Sequence, residues 1–481
     1  MSCLRLQGSL LALGLMLGCR LGMAIDAGAI PAPATSASDY SAATPALAVA
    51  SPPSSTPASP PAAAPFATSN STYLLPPGNP AANPTPGPPA MMALPVNTAP
   101  LPADASTTRK FYTLTASLRE IYDDNVTGSN NNQPASLETV LSPSILVDFP
   151  TPEGEFTGRY TFNLTYYSVG PNGNNGSGNN NGQLEYTHEF VAQFSHNFNE
   201  RFGLSCAEDF RSYVEPSIDQ STGTPYQNGQ YIANVLSGSL SAQWTPLFGT
   251  TTSYSNSIVR YSDSNVGQVQ NSIENTGSQT FTFAVFPKVS LSVGGIADEI
   301  GYDSTDRGYN SYTGFVGAMW EALPSLTFSA RGGGSFTQTA QSQSQISPYA
   351  ALSANWSLGA HSSLNFSYGH ELTPSDQAGA NGQTSDRFNA GFNYIISPSL
   401  TAHLDGIYTR SVTQQYLLTS DNSSLPAGYV ESDYQMDTGL AYHFDKYIDF
   451  DGGVIFSGVD SDINALSYTR AQTYFGVRGT Y

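Results

Sequence analysis

Arg119, Arg159, Arg331, Arg387 and Arg478 alternate along the chain with polar residues of like parity, and so do Glu185, Glu189, Asp437, Asp449 and Asp451. Facing rows of guanidinium and carboxylate groups across a water-filled space set up a transverse field that sorts solutes by charge. The chemistry expected of these residues is therefore electrostatic selection in a lumen. Covalent catalysis would need a nucleophile with its base, or paired aspartates beside a histidine. His403 and Asp405 share the inward parity, but they follow a short turn closely and no second aspartate pair accompanies His403. No enzyme activity and no catalytic residue is expected. Phe315, Tyr349 and Tyr474 fall on the same inward parity, where they would offer sugars partial stacking surfaces or fill the lumen.

Metal-ligand patterns are incomplete. Asp123, Asn125 and Gly128 imitate the start of a calcium loop, yet Pro134 stands where a bidentate glutamate would close the shell. Asp460, Asp462 and Asn464 lack their closing carboxylate in the same way. Solvated loop tips, or weak divalent-cation contacts bridging anionic lipopolysaccharide, are the two readings of these acids. Cys3, Cys19 and Cys206 supply no disulfide framework and no thiolate metal site. No metal or cofactor is expected. The formal net charge of −20 argues against nucleic acid as a partner, because phosphate binding rests on lysine and arginine.

The elements that must position the charged rows are strands. Tyr160, Phe162, Leu164 and Tyr166 share one parity, while Thr157, Arg159, Thr161, Asn163 and Thr165 take the other. Phe388, Ala390, Phe392, Tyr394 and Ile396 alternate in the same way with Arg387, Asn389 and Asn393. Side chains of a strand point to opposite faces with period two, so each segment has an apolar face and a wet one.

Only 11% of the residues are charged, against roughly 25% in ordinary soluble domains. Beyond the N-terminal segment no apolar run approaches the ~18–20 residues of a membrane helix. A closed barrel is the remaining structure that satisfies every backbone polar group in lipid. A soluble β-sandwich also alternates, but aromatic residues near the strand ends and alternation throughout favour the membrane barrel.

Connections supply a second test, since outer-membrane barrels alternate tight periplasmic turns with long external loops. Short turns are expected at Pro150–Glu155, Asn197–Arg201, Thr245–Gly249, Pro287–Lys288, Ala322–Ser325, Leu358–His361, Ser397–Ser399 and Asp445–Tyr447. Long Asn/Gly/Ser-rich connections lie between them, at Asp123–Ser136, Ser168–Gln183, Glu215–Gln230, Asp263–Ser272, Tyr302–Tyr309, Gln338–Gln345, Thr373–Ser385, Val412–Tyr429 and Val459–Thr469. The fold expected is all-β: a transmembrane antiparallel up-and-down β-barrel of about eighteen strands, or sixteen if one weak pair does not form. The weakest segment is Phe202–Tyr213, where Glu208 shares parity with Leu204 and Phe210; a bulge or an interfacial position would relieve that cost.

Residues 1–24 read as a signal peptide, with Arg5, the apolar stretch Leu10–Leu17 and the small-x-small site Gly22-Met23-Ala24. Leu17 weakens a lipoprotein reading of Cys19. Residues 25–108 are dominated by Pro, Ala, Ser and Thr, and are expected to be a disordered periplasmic tether. The barrel is expected over 109–481. Its last strand places Thr473, Phe475, Val477 and Tyr481 on one parity, which resembles the C-terminal signal read by the outer-membrane barrel assembly machinery; Gly479 departs from that pattern.

Leu118-Arg119-Glu120-Ile121-Tyr122-Asp123-Asp124-Asn125-Val126, followed by Thr139-Val140-Leu141-Ser142-Pro143, resembles the opening of the β-barrel porin 2 family. That family includes barrels associated with exopolysaccharide operons. The resemblance is specific at this opening and architectural beyond it. It implies location in the outer membrane of a Gram-negative bacterium, in contact with lipid and lipopolysaccharide, and it brings no catalytic residues. Two functions follow as expectations: a porin-like channel for passive diffusion of small polar solutes, linked through the resemblance to exopolysaccharide export, or a non-conducting barrel whose loops bind a partner or polysaccharide. With acid in excess, an open lumen would favour cations and neutral sugars over anions.

Overall fold

The computed structural model describes residues 111–130, 133–170, 182–213, 217–218, 225–226, 230–262, 267, 270–303, 308–340, 344–373, 380–415, 429–463 and 466–481. The expected signal peptide and tether, with Cys3 and Cys19, lie outside the described residues, as does Asn464.

The chain forms β1 (Tyr112–Asp123), β2 (Ser136–Thr151), β3 (Gly154–Tyr167), β4 (Gln183–Asn199) and β5 (Phe202–Tyr213). A two-stranded ribbon follows, β6 (Ser217–Ile218) with β7 (Pro225–Tyr226). Then come β8 (Tyr231–Thr245), β9 (Phe248–Tyr261), β10 (Ser272–Phe286), β11 (Val289–Tyr302), β12 (Gly308–Leu323), β13 (Leu326–Thr339) and β14 (Ser344–Leu358). The sheet ends with β15 (Ser362–Thr373), β16 (Ala380–Ser397), β17 (Leu400–Gln415), β18 (Val430–His443), β19 (Ile448–Ser461) and β20 (Tyr468–Thr480).

Apart from the ribbon, every strand pairs antiparallel with its neighbours in sequence, and β1 also pairs with β20, from Thr115 opposite Thr480 to Asp123 opposite Gln472. Leu114 and Tyr481 extend that seam by exchanging N–H···O bonds of 3.1 and 2.8 Å. The 18-stranded sheet is thus closed and has no free edge, which is the condition for satisfying a sheet's backbone in hydrocarbon. All the short turns fall where the sequence places them. The ribbon inside the third long connection was not foreseen, because two-residue strands carry no periodicity.

β4, β8, β10, β12 and β16 each shift register just before their short turn, for example between Asn197 and Asn199 and between Ile395 and Ser397. An extra residue there bends the strand into the tight connection. Gly359 enters its turn at φ +73°, where a side chain would be strained.

Parity sorts the two faces as the sequence implies. Large apolar side chains stand outside around the whole circumference, with Leu184 60% exposed on β4, Val316 66% on β12 and Phe475 60% on β20. Such a surface is incompatible with water and matches hydrocarbon. Trp244, Trp320 and Trp356 mark the short-turn rim, where Trp244 packs edge-on against Phe202 and Trp320 stacks on Phe328. Tyr122, Tyr166, Tyr186 and Tyr312 stand outside nearer the long connections. Aromatic belts at both ends of an apolar band are the expected interface anchors.

Glu208 is the exception in β5. Its register is unbroken, opposite Ala192 and Leu236, so no bulge turns it inward. Phe210 above it and Leu204 below it share its outward face, so it is not at the rim either.

Arginine at mid-band on the lipid face costs ~2–4 kcal/mol. Ala390→Arg, outward on β16, is expected to destabilise the barrel by about that amount, and Asn389→Arg, inward and next to it, by under ~1 kcal/mol. Urea unfolding of the barrel in lipid vesicles measures both; equal costs would refute the assignment of faces.

Candidate functional site in the barrel lumen

All ten charged residues singled out in the sequence face inward. Arg119, Asp437, Asp449, Asp451 and Arg478 converge on one stretch of wall, built from β17 to β20 and β1. Arg159, Glu185 and Glu189 stand on β3 and β4. Arg331 and Arg387 stand on β13 and β16.

The β17–β1 stretch is the most concentrated. Arg119 Nη2 bonds Asp451 Oδ2 at 2.7 Å, across the closing seam and β20, and its guanidinium lies 4.6 Å from the Tyr474 ring centroid. Arg478 donates through Nε and Nη2 to Asp449 Oδ2 at 3.0 and 2.6 Å, while His443 Nδ1 lies 2.5 Å from Asp449 Oδ1. His403 Nε2 is 3.5 Å from Asp437 Oδ1. Asp405 and Asp437 face each other across the β17–β18 ladder. Carboxylates outnumber arginines here, so this wall is negative.

Glycines hollow the wall where these groups sit. A Cβ on Gly439 would meet His403 Cε1 at 2.6 Å and the Tyr474 hydroxyl at 2.7 Å, and one on Gly453 would meet the same hydroxyl at 2.6 Å. Tyr474 therefore lies flat across two glycines, which places its ring under Arg119. Phe315 uses the same device: its Cζ would be 2.6 Å from a Cβ on Gly294. An aromatic ring laid over a glycine restores the packing the missing side chain would give. Phe315 and Tyr349 pack with centroids 6.1 Å apart, and the Arg331 guanidinium lies 5.0 Å from the Phe315 centroid. Phe315, Tyr349 and Tyr474 are all buried. They build the wall, and the stacking surface for sugars is not exposed.

The second charged stretch pairs Arg159 with Glu189 at 3.0 Å, and Arg211 with Asp209 through a two-pronged contact of 2.6 and 2.7 Å. Arg211 and Asp209 were missed in the sequence because they alternate with Glu208, whose outward carboxylate blurs the parity of β5. A third pair, Arg387 with Glu371 at 3.1 Å, joins β16 to β15. Between the charged stretches the inner wall of β8 to β10 presents hydroxyls: Ser237, Ser239 and Ser241, then Thr251, Ser253 and Ser255, then Ser278, Thr280 and Thr282.

β12 and β16, four strands apart and not hydrogen-bonded to each other, approach within 8 Å between Cα atoms. Asp123 at the loop end of β1 bonds Arg470 Nε at 2.7 Å and Gln472 at 3.2 Å, and accepts the Asn125 N–H at 2.9 Å. Its carboxylate is thus an intramolecular anchor. Asp462 is likewise engaged, accepting the Val430 N–H at 2.9 Å.

No family model matches the chain, and no curated protein matches it. Among solved structures, OccAB4 of Acinetobacter baumannii is 10% identical, with 78% of this chain and 99% of that chain covered at a TM-score of 0.37. The outer membrane protein opdK of Pseudomonas aeruginosa is 8% identical, with 77% and 99% covered at 0.40. The siderophore receptor PiuA of Acinetobacter baumannii is 10% identical, with 78% and 82% covered at 0.41. At such values the architecture rests on the chain's own strand pairing.

Removing one partner of a buried ion pair strands the other charge, at ~3–5 kcal/mol. Arg119→Met is expected to destabilise the barrel by about that much. The double variant Arg119→Met/Asp451→Asn should recover all but ~1 kcal/mol, because no unpaired charge remains. Additive losses in urea unfolding would show that the pair is not coupled.

Proposed function

We propose that this protein is a porin-like channel in the outer membrane of a Gram-negative bacterium, through which small polar solutes diffuse without energy coupling. The observation that carries the reading is the pairing of a predominantly apolar exterior with an inner wall of ion pairs and hydroxyls in a closed 18-stranded barrel. A barrel of that strand number is wide enough for an aqueous passage. The acidic stretch of Asp405, Asp437, Asp449 and Asp451 favours cations, and the hydroxyl wall of β8 to β10 favours neutral polyhydroxyl solutes. Lipid and lipopolysaccharide are the partners of the exterior, and the barrel assembly machinery is the partner of the last strand through Phe475, Val477 and Tyr481. The resemblance of the first strand to the porin 2 family supports exopolysaccharide, or its fragments, as one cargo.

A second reading is favoured by the approach of β12 to β16: a barrel narrowed until it does not conduct, serving to present its loops for adhesion or polysaccharide binding. Single-channel recording in planar bilayers separates the two. The channel reading expects stepwise current and, in a potassium chloride gradient, a reversal potential of the sign set by potassium. Asp405→Asn/Asp437→Asn should move that potential toward zero. Folded barrels that pass no current would refute the channel and leave the second reading.

A further inference from the structure

Outward polar groups stand on several strands, as Glu120 with Thr139 on β1 and β2 and His370 with Asp386 on β15 and β16, but among the described residues their longest run lies on β9 and β10. On β9 the outward positions Thr252, Tyr254 and Asn256 are polar in succession, with Phe248 below them and Ile258 above. On β10 the outward positions Asn275, Gly277 and Gln279 face them, with Phe281 and Phe283 below and Ile273 above. The patch continues to Asn234 on β8, set between Ile232 and Leu236, and to Glu208 on β5, with which Asn234 interacts. Apolar residues bracket it both above and below on the same strands, so it lies inside the band and not at a rim. The outward face of β3 carries no such run, and that of β16 has polar residues only at Thr384 and Asp386, near its long connection.

Internal bonds satisfy part of the patch. Thr252 Oγ1 donates to Gln279 Oε1 at 2.6 Å, Tyr254 OH to Asn275 Oδ1 at 2.8 Å, and Asn256 Nδ2 to the same Asn275 oxygen at 2.9 Å. Asn275 Oδ1 thereby accepts twice, while its amide N–H groups make no hydrogen bond among the described residues, although Glu299 on β11 stands opposite on the same face. Glu208, at the other end, has oxygens in excess of donors. Hydrocarbon cannot serve either group, and polar groups at mid-membrane persist where protein covers them.

We propose that this face docks a second copy of the same chain. Amides carry donor and acceptor together, so a face of Asn234, Asn256, Asn275 and Gln279 is complementary to itself. Copies inserted in the same orientation can meet face to face about a two-fold axis along the membrane normal, an isologous contact. The Asn275 donors of one copy then meet carboxylate and amide oxygens of the other. Gly277, which has open space where its Cβ would be, lets the two walls approach closely.

The inference rests on the exterior being lipid-facing, and the test keeps the two apart. In a Cys206→Ser background, Asn275→Cys and, separately, Thr252→Cys are oxidised in intact outer membranes. A disulfide-linked species of twice the chain's mass is expected from at least one of them, with none from Ala390→Cys on the far side. The triple variant Asn256→Leu/Asn275→Leu/Gln279→Leu should stay folded, judged by heat-modifiable gel mobility, but shift from two-chain to one-chain mass in native mass spectrometry. Single-chain protein at both cysteine positions, an adduct of another mass, equal crosslinking at Ala390→Cys, or two-chain mass kept by the leucine variant would each overturn the proposal. A chain missing from the outer-membrane fraction would instead overturn the lipid-facing reading beneath it.

Discussion

Everything in this fold hangs on the hydrogen bonds between β1 and β20. A sheet in hydrocarbon cannot leave a row of N–H and C=O groups unpaired, and each open edge would cost several kcal/mol per unpaired group. Closing the sheet removes both edges at once and fixes which residues share a row across the seam. Arg119 can reach Asp451 only because Arg119 is registered opposite Gly476, with Asp451 on that glycine's other side. The most concentrated charge in the lumen is thus a consequence of closure.

Closure also fixes what the inner wall has to do without. A barrel has no second layer to pack against, so side chains inside must be satisfied by one another or by water. Arginine pairs with the carboxylate one or two strands away, as Arg159 does with Glu189 and Arg387 with Glu371. Where a ring lies flat on the wall, the neighbouring strands carry glycine, as under Tyr474 and Phe315. The glycines are needed because any Cβ there would occupy the ring's place. The same bare backbone draws Tyr474 beneath the Arg119 guanidinium, where the ring's negative face meets the cation.

What was legible in the sequence is what depends on neighbours along the chain. Alternation sets the face of each residue, so Arg159 and Phe162 were assignable from β3 alone, and turn residues such as Pro287 and Gly359 located the reversals. Partners across the sheet were not legible, because register between strands depends on the length of every connection. The pair Arg119–Asp451 spans more than three hundred residues and leaves no trace in local pattern. The approach of β12 to β16, with three strands between them, is likewise something alternation does not encode. Tyr349 and Phe315 were correctly placed inside, but their burial against each other and Arg331 is a property of packing.

Glu208 shows how a local exception becomes interpretable only in the assembled wall. Within β5 it reads as a fault, one carboxylate where lipid should be. Asn234 on β8 reads as a second, and Asn256 and Asn275 as two more, each tolerable by itself. Strand pairing puts Asn256 opposite Asn275 and Thr252 opposite Gln279, and the scattered faults become one hydrogen-bonded patch. Outward polar groups elsewhere, such as Glu120 on β1 and Asp386 on β16, stand near the long connections, whereas these join across four successive strands of the closed sheet and reach toward its middle. A patch that pairs its own polar groups within the wall reduces the cost of facing lipid, but the donors left on Asn275 and the oxygens left on Glu208 still require a partner that can form hydrogen bonds.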